Sequence, residues 1–137
     1  MAKGSTSSFL LHLHPRFIPE HSIRLTFTFC FGGIALFLFL IEALSGVLLM
    51  LHYHPSAINA YASVQKITHI VPYGWIIRNI HYWSGQAMVV AVCLHMVRVF
   101  LTGSYENPRR LNWVVGMACL VLTLLVDFTG YLLVWDD

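Results

Sequence analysis

The sequence predicts an all-α membrane protein with three transmembrane helices. Of its 137 residues, 58% are hydrophobic and only 10% are charged, so most of the chain belongs where water is absent. The apolar residues gather in three runs, each reaching the roughly 20 residues that a helix needs to cross a hydrocarbon core. We expect a transmembrane domain over residues 25–137, with helices at about 25–52, 75–101 and 111–135.

The segments outside these runs carry most of the prolines and cations. Residues 1–24 mix a short apolar patch with prolines and do not span, so they predict an interfacial segment on the bilayer surface. Residues 53–74 predict a loop with a short surface helix at about 57–70, closed by Pro72. Cations flank the first run and the second connection: Lys3, Arg16, Arg24, Arg98, Arg109 and Arg110. The N-terminus should therefore face the cytoplasmic, negative side and the C-terminus the positive side.

Composition also excludes several classes of protein. A formal net charge of +2, without a basic stripe of interleaved aromatics, argues against nucleic-acid binding. Cys30, Cys93 and Cys119 lie in apolar runs without CxxC or CxxCH spacing, which indicates neither a disulfide nor a zinc site. We expect the apolar runs themselves, rather than a cleaved signal peptide, to direct insertion into the membrane.

The second run carries two histidines, His81 and His95, near the ends of its middle part. Fourteen residues separate them, which on an α-helix places them about 40° apart around the axis and about 21 Å apart along it. Imidazole is a common axial ligand of haem iron, and histidine rarely lies in a membrane interior without a function. A single histidine in an apolar helix is more often a hydrogen-bonded core residue. Two histidines on one helix face, at two depths in the membrane, instead favour a role as ligands of two stacked cofactors.

The same interval of fourteen separates two glycines on each of the other runs, namely Gly32 and Gly46, and Gly116 and Gly130. A glycine lets a flat ring approach the backbone. The alternative is ordinary small-residue packing of membrane helices, but three coinciding intervals favour a cofactor. Arg78 and Arg98 lie three residues outside the histidines, where they could pair with haem propionates or extend to lipid headgroups.

Six segments resemble the N-terminal part of cytochrome b from quinol:cytochrome c and quinol:plastocyanin oxidoreductases (the bc1 and b6f complexes). They are CFGGIALFLFLIEALSG, AYASVQKI, YGWIIRNIHYWS, LHMVRVFLTGSY, PRRLNWVVG and FTGYLLVWD. The resemblance implies that His81 ligates a low-potential haem b on the positive side and that His95 ligates a high-potential haem b on the negative side. It also implies haem contacts for Gly32, Gly46, Gly116 and Gly130, and propionate binding by Arg78 and Arg98.

Cys30 makes the chain more similar to the cytochrome b6 type than to the mitochondrial form. In that type a cysteine just before the Phe/Leu-Gly-Gly stretch holds an extra haem c through a single thioether, near the second b haem. The resemblance therefore implies a covalently bound haem at Cys30. The alternative is a buried structural cysteine.

The family's opposite axial histidines lie on a fourth helix, which residues 1–137 do not include. The remaining histidines lie in predicted loops or at membrane surfaces: His12, His14, His21, His52, His54 and His69. We therefore expect another chain, with its own histidine pair, to complete a haem-binding four-helix bundle and supply the rest of cytochrome b. The resemblance further implies iron–sulfur or c-type cytochrome subunits, quinone and a dimeric complex, surrounded by the lipid of a bacterial cytoplasmic or thylakoid-type membrane.

Two acids lie inside the apolar runs, Glu42 in the first and Asp127 in the third. Intramembrane carboxylates cost several kcal/mol unless they are paired, protonated or facing water. Each is a candidate proton relay for quinol chemistry, and the alternative is a protonated, hydrogen-bonded carboxyl group. Val134 replaces the proline of the family's LPWD motif. This replacement removes a helix breaker and leaves the shape of a quinol site there undetermined.

Three functions remain open on these observations. The first is a di-haem subunit of a membrane quinol:acceptor oxidoreductase, not catalytic alone, that carries electrons across the membrane between quinone sites. The second is a quinone-interacting haem module that exchanges electrons with another redox partner without a Q cycle. The third is a haem-free membrane anchor.

Overall fold

The computed structural model describes residues 30–106 and 109–134. These residues form helices α1 (Phe31–Met50), α2 (Ala60–His69), α3 (Gly74–Leu101) and α4 (Arg110–Leu132). The predicted interfacial segment 1–24, residues 25–29 of the first predicted span and residues 135–137 of the third lie outside the described residues.

Helices α1, α3 and α4 are long and apolar enough to cross a membrane, with 20, 28 and 23 residues. At 1.5 Å per residue, the shortest reaches about 30 Å, the thickness of a hydrocarbon core. Their large apolar side chains are mostly exposed, as at Leu44, Trp83 and Val126, which suits a surface covered by lipid. The predicted all-α membrane fold is confirmed.

Helix α3 is central, because it packs along α1 and also contacts α2 and α4. Small residues lie at the α1–α3 contact: Ser45 is buried on α1, and Ser84, Gly85 and Ala91 are buried on α3. Lipid tails are as apolar as leucine, so membrane helices associate through close packing of small residues rather than through hydrophobic burial. These residues let the two backbones approach each other.

Helix α1 begins at Phe31, and the predicted start at residue 25 lies outside the described residues. Cys30 stands at its N-cap position with φ 49°, in the left-handed region and so outside the conformation of a right-handed helix. Helix α3 begins similarly, after Tyr73 with φ 60°. Its first residue, Gly74, is buried, and a Cβ there would overlap the carbonyl oxygen of Ile67 on α2.

Helix α2 is the predicted surface helix, although residues 57–59 form a turn rather than its first turn. It buries Ala60, Val64 and Ile67, which share one helical face. Near its end, Thr68 Oγ1 accepts a hydrogen bond of 3.1 Å from Arg78 Nη1 on α3. These contacts hold α2 against the first turns of α3.

Helix α4 ends at Leu132 without the proline of the family motif. Leu133 and Val134 donate their N–H groups to carbonyls three residues earlier, at 3.3 and 3.4 Å, which tightens the last turn. The hydroxyl of Tyr53, from the connection after α1, donates to Leu133 O at 2.6 Å and satisfies a terminal carbonyl. A distant side chain thus caps this end of the helix.

Candidate cofactor sites on the central helix

Each predicted histidine of α3 lies against a predicted glycine of α1. A Cβ added at Gly32 would lie 3.2 Å from His95 Cε1, and one at Gly46 would lie 3.3 Å from His81 Cε1. Few real Cβ contacts are this tight, so larger side chains at these glycines would displace the imidazoles. Because the two intervals of fourteen residues match, antiparallel packing brings both pairs together.

The glycines of α4 lie at the same two levels. A Cβ at Gly116 would lie 3.5 Å from the sulfur of Met96, which follows His95, so this glycine is level with His95. Tyr131, next to Gly130, places its hydroxyl 3.2 Å from the hydroxyl of Tyr82, next to His81. A Cβ at Gly130 would have no heavy atom of the described residues within 4 Å. Glycines of α1 and α4 therefore flank both imidazole levels.

The Nδ1 atom of His81 faces polar side chains of α1. Its Nδ1 lies 2.9 Å from Ser45 Oγ and 3.0 Å from Glu42 Oε2. Glu42 Oε1 accepts a hydrogen bond from Ser84 Oγ, and Ser45 Oγ donates to Ile41 O at 2.7 Å. The Glu42 side chain is only 16% exposed, so its carboxyl group lies inside the helix contact.

One assignment of hydrogens satisfies all these contacts. His81 Nδ1–H donates to Glu42 and Ser45, whose own hydroxyl donates to Ile41 O. The single hydroxyl proton of Ser84 is shared between Glu42 Oε1 and Ile80 O, the latter at 2.6 Å. In the reverse assignment, Ser45 and a protonated Glu42 would both donate to the single lone pair of Nδ1. We therefore assign the proton to Nδ1. This leaves the Nε2 lone pair free, which is the form in which a neutral histidine binds a metal.

His95 has a different environment. Its Nδ1 is buried and has no hydrogen-bond partner among residues 30–106 and 109–134. An unsatisfied buried polar group costs about 1–3 kcal/mol. A hydrogen-bond partner for Nδ1 is therefore expected from outside the described residues. The edge of the ring meets the notch at Gly32 rather than a side chain.

The predicted arginines lie on α3 outside the two histidines. Arg78 is exposed near the start of α3 and donates to Thr68, as described above. Arg98 is half-buried in the last turn of α3, one turn after His95. The structure thus places a guanidinium toward each end of the helix that carries the imidazoles.

The two predicted acids are separated. Glu42 belongs to the cluster around His81, at 3.0 Å. Asp127 is half-buried on α4, one turn before Tyr131. Among residues 30–106 and 109–134, its carboxyl group has no hydrogen-bond or ion-pair partner.

Cys30 is exposed, with a free thiol, at the start of α1. Only one residue separates it from Gly32, so it lies toward the His95 end of the α1–α3 pair. His52, His54 and His69 lie outside the three spanning helices, while His12, His14 and His21 are not among the described residues.

Sequence reasoning missed the small residues around Glu42. Ser45 and Ser84 contact it or His81 directly, and a Cβ at Gly85 would lie 3.6 Å from Glu42 Oε1. The spacing in the sequence could have indicated these contacts, because Ser45 lies three residues after Glu42 and Ser84 lies three residues after His81. Residues at this spacing share a helical face.

Each imidazole stands as a single protein ligand. Within the described parts of the chain, no three His, Cys, Asp or Glu residues gather where they could hold a bare metal ion. A lone imidazole would suit iron that a porphyrin already holds, and the glycine notches would suit a flat macrocycle. The residues therefore fit haem. Fold and sites define a membrane-spanning helical protein with two single-imidazole sites on one helix.

Comparison with known proteins identifies the family. The model of the family Cytochrome b/b6/petB matches residues 18–137, so the chain belongs to this family and is a cytochrome b of the bc1/b6f type. Membership implies binding of haem b. The predicted resemblance is confirmed.

Individual relatives agree with this result. The chain is 46% identical over 124 residues to cytochrome b6 of Heliobacterium modesticaldum, which covers 90% of this chain and 56% of the relative. It is 42% identical over 126 residues to the cytochrome bc complex cytochrome b subunit of Chlorobaculum thiosulfatiphilum, covering 92% of this chain and 29% of that one. The chain thus spans about half the length of the cytochrome b6 relative.

A solved structure is similar as well. A chain of a hyperthermophilic respiratory Complex III matches with a TM-score of 0.78 and 35% sequence identity, covering 80% of this chain and 28% of that chain. The likeness supports an integral membrane protein related to the subunits of such complexes.

Proposed function

We propose that this chain is the di-haem b-type cytochrome subunit of a quinol:acceptor oxidoreductase of the bc1/b6f type. In this role it carries electrons across the membrane between quinone sites and is not catalytic alone. The main support is the contact of both α3 imidazoles with glycines of α1, at 3.2 and 3.3 Å from the added Cβ positions. A single antiparallel packing of α1 against α3 thus places each of the two predicted ligands beside a predicted glycine.

The chain's residues have distinct parts in this proposal. His81 and His95 supply one axial imidazole each to two b haems, and Gly32, Gly46, Gly116 and Gly130 make room for the rings. Arg78 and Arg98 pair with the propionates, because a guanidinium binds a carboxylate through charge-assisted hydrogen bonds. Haem, when bound, supplies reversible one-electron chemistry. The apolar helices exclude water from both sites.

Further subunits complete the proposed complex. We infer that another chain provides the second axial ligands from a transmembrane helix whose two histidines are spaced by about fourteen residues, matching the interval on α3. Within the described residues, the other histidines lie outside the spanning helices. Iron–sulfur or c-type cytochrome subunits, quinone and lipid are the remaining partners, in a dimeric complex.

The proposed membrane is the bacterial cytoplasmic or a thylakoid-type membrane. The N-terminus faces its cytoplasmic, negative side, as the cations predict. Labelling of single cysteines introduced into the connections, on intact cells and inverted vesicles, tests this orientation. A label that reaches the α1–α2 connection from the cytoplasmic side would overturn it.

The proposed function is tested on the complex purified from its native membrane. We expect two b haems per chain, with low-spin, six-coordinate spectra that indicate two imidazole ligands. An iron–sulfur subunit that copurifies supports the quinol oxidoreductase, whereas a multihaem partner indicates a quinone module without a Q cycle. If the complex contains no haem, a haem-free membrane anchor is the one of the three functions that still agrees with the result.

A covalent haem at Cys30 is a separate prediction. Cys30 is exposed at the start of α1, where a thioether could form without changing the helix contact. We expect haem staining of the chain on a denaturing gel, and loss of that staining in Cys30→Ala. Cys119→Ala, at another exposed cysteine, is the matched control and should keep the stain. Wild-type chain that loses all its haem on denaturation has no thioether.

Asp127 is proposed as a proton relay for quinol chemistry, and the same role remains a prediction for Glu42. A carboxyl group that transfers a proton typically contributes about 10²–10⁴-fold to the rate of proton-coupled chemistry. We therefore expect Asp127→Asn to lower quinol turnover by about 100-fold or more while leaving the haem spectrum unchanged. Glu106→Gln, at an exposed acid beyond α3, should have normal turnover. Normal turnover of Asp127→Asn would remove Asp127 from the proton path.

A further inference from the structure

The two imidazoles of α3 differ in what their Nδ1 atoms contact. His81 Nδ1 lies 3.0 Å from a carboxylate oxygen of Glu42. His95 Nδ1 is buried without a hydrogen-bond partner in the described part of the chain. Both residues are proposed ligands at equivalent places against α1, so this difference distinguishes two otherwise similar sites.

The carboxyl group of Glu42 is held by specific contacts. It lies between His81 and the hydroxyl of Ser84, and the lack of a side chain at Gly85 leaves room for it, with the added Cβ 3.6 to 3.7 Å from the carboxyl atoms. An acid within a transmembrane helix costs about 3 kcal/mol if it is left uncompensated. Its two hydrogen bonds offset that cost and orient it toward His81.

We propose that Glu42 is a positioning residue that lowers the midpoint potential of the haem ligated by His81. The inference rests on the proposed function, in which His81 is an axial ligand. The Glu42 carboxylate accepts the Nδ1 proton of His81 in a hydrogen bond, which fixes the tautomer and the ring orientation. It also increases the electron density on Nε2, as carboxylates behind metal-binding histidines do. A more basic ligand stabilises ferric iron more than ferrous iron.

The arrangement gives one helix two sites of unequal potential. Ser45 shares the Nδ1 proton at 2.9 Å, but a neutral hydroxyl is a weaker acceptor than a carboxylate. Glu42 thus supplies the charge at His81, and no carboxylate among the described residues lies within hydrogen-bond distance of His95 Nδ1. A haem held by His81 would then have a lower potential than it would have without Glu42.

The test compares Glu42→Gln with wild type in the purified complex, by redox titration of each haem and by electron paramagnetic resonance of the ferric state. Glutamine keeps the length and the acceptor but removes the charge. Second-shell changes alter metal affinity by about 10-fold or more. A tenfold loss of ferric over ferrous preference corresponds to a rise in potential of about 59 mV. We expect this rise, with a changed resonance signal, only for the haem that is lost in His81→Ala.

Glu106→Gln, the same substitution at an exposed acid outside the helices, is the matched control and should change neither potential. The proposal is overturned if Glu42→Gln retains both haems at unchanged potentials, or if both potentials move together. Absence of haem from the wild-type complex is a different result, because it overturns the proposed function itself. Glu42→Asp retains the charge on a shorter side chain, and we expect its shift to be smaller than that of Glu42→Gln.

Discussion

Replacing His81 with alanine is expected to remove one b haem from the complex, and replacing His95 is expected to remove the other. No three metal-binding side chains gather within the described residues, so alanine removes the imidazole proposed to hold the iron at that level. A pyridine haemochrome assay should show half the wild-type content of haem b in either variant. Redox titration should show that the two variants retain haems of different potential.

His69→Ala is the matched control for both variants. His69 is exposed at the end of α2 and lies outside the spanning helices, so this variant should keep the full haem content. Copurification of the other subunits separates loss of a ligand from failure to assemble. If His81→Ala or His95→Ala assembles with the full haem content, the axial role assigned to that histidine is wrong.

The transmembrane fold could be predicted because the length of an apolar run sets the length of a span. Helix α3 begins one residue before the predicted start at residue 75 and ends at the predicted Leu101. The left-handed backbone of Cys30 before α1 was not predictable, because Cys30 is not a glycine and lies within an apolar run. The end of α4 depends on Tyr53, about eighty residues earlier in the chain, and local sequence does not encode such a contact.

The candidate site could be predicted only where it depends on intervals along one helix. The interval of fourteen residues between His81 and His95 sets their relative levels, whichever way α3 is rotated. The pairing of Glu42 with His81 depends instead on which face of α1 meets α3. In lipid, apolar residues cover every face of α1, so no hydrophobic stripe marks the inward side. The contacts of Ser45 and Ser84 follow from that rotation and therefore required the structure.

Closing a glycine notch on α1 is expected to displace one particular haem. A Cβ at Gly32 would lie 3.2 Å from His95 Cε1, and one at Gly46 would lie 3.3 Å from His81 Cε1. The further methyl groups of valine would press on the ring, and overpacking of this kind costs about 1–3 kcal/mol. We expect Gly32→Val to weaken or abolish haem binding at His95, and Gly46→Val to do so at His81.

Gly33→Val provides the control, because a Cβ at Gly33 would have no heavy atom of the described residues within 4 Å. It has the same cost in helix propensity as Gly32→Val and lies one residue away on the same helix. The two variants therefore differ mainly in whether the new side chain meets an imidazole. Haem content and the two midpoint potentials measured on each variant show which site is affected. Equal loss of haem in Gly33→Val and Gly32→Val would mean that α1 tolerates no bulk there at all, and the notch would then have no specific relation to His95.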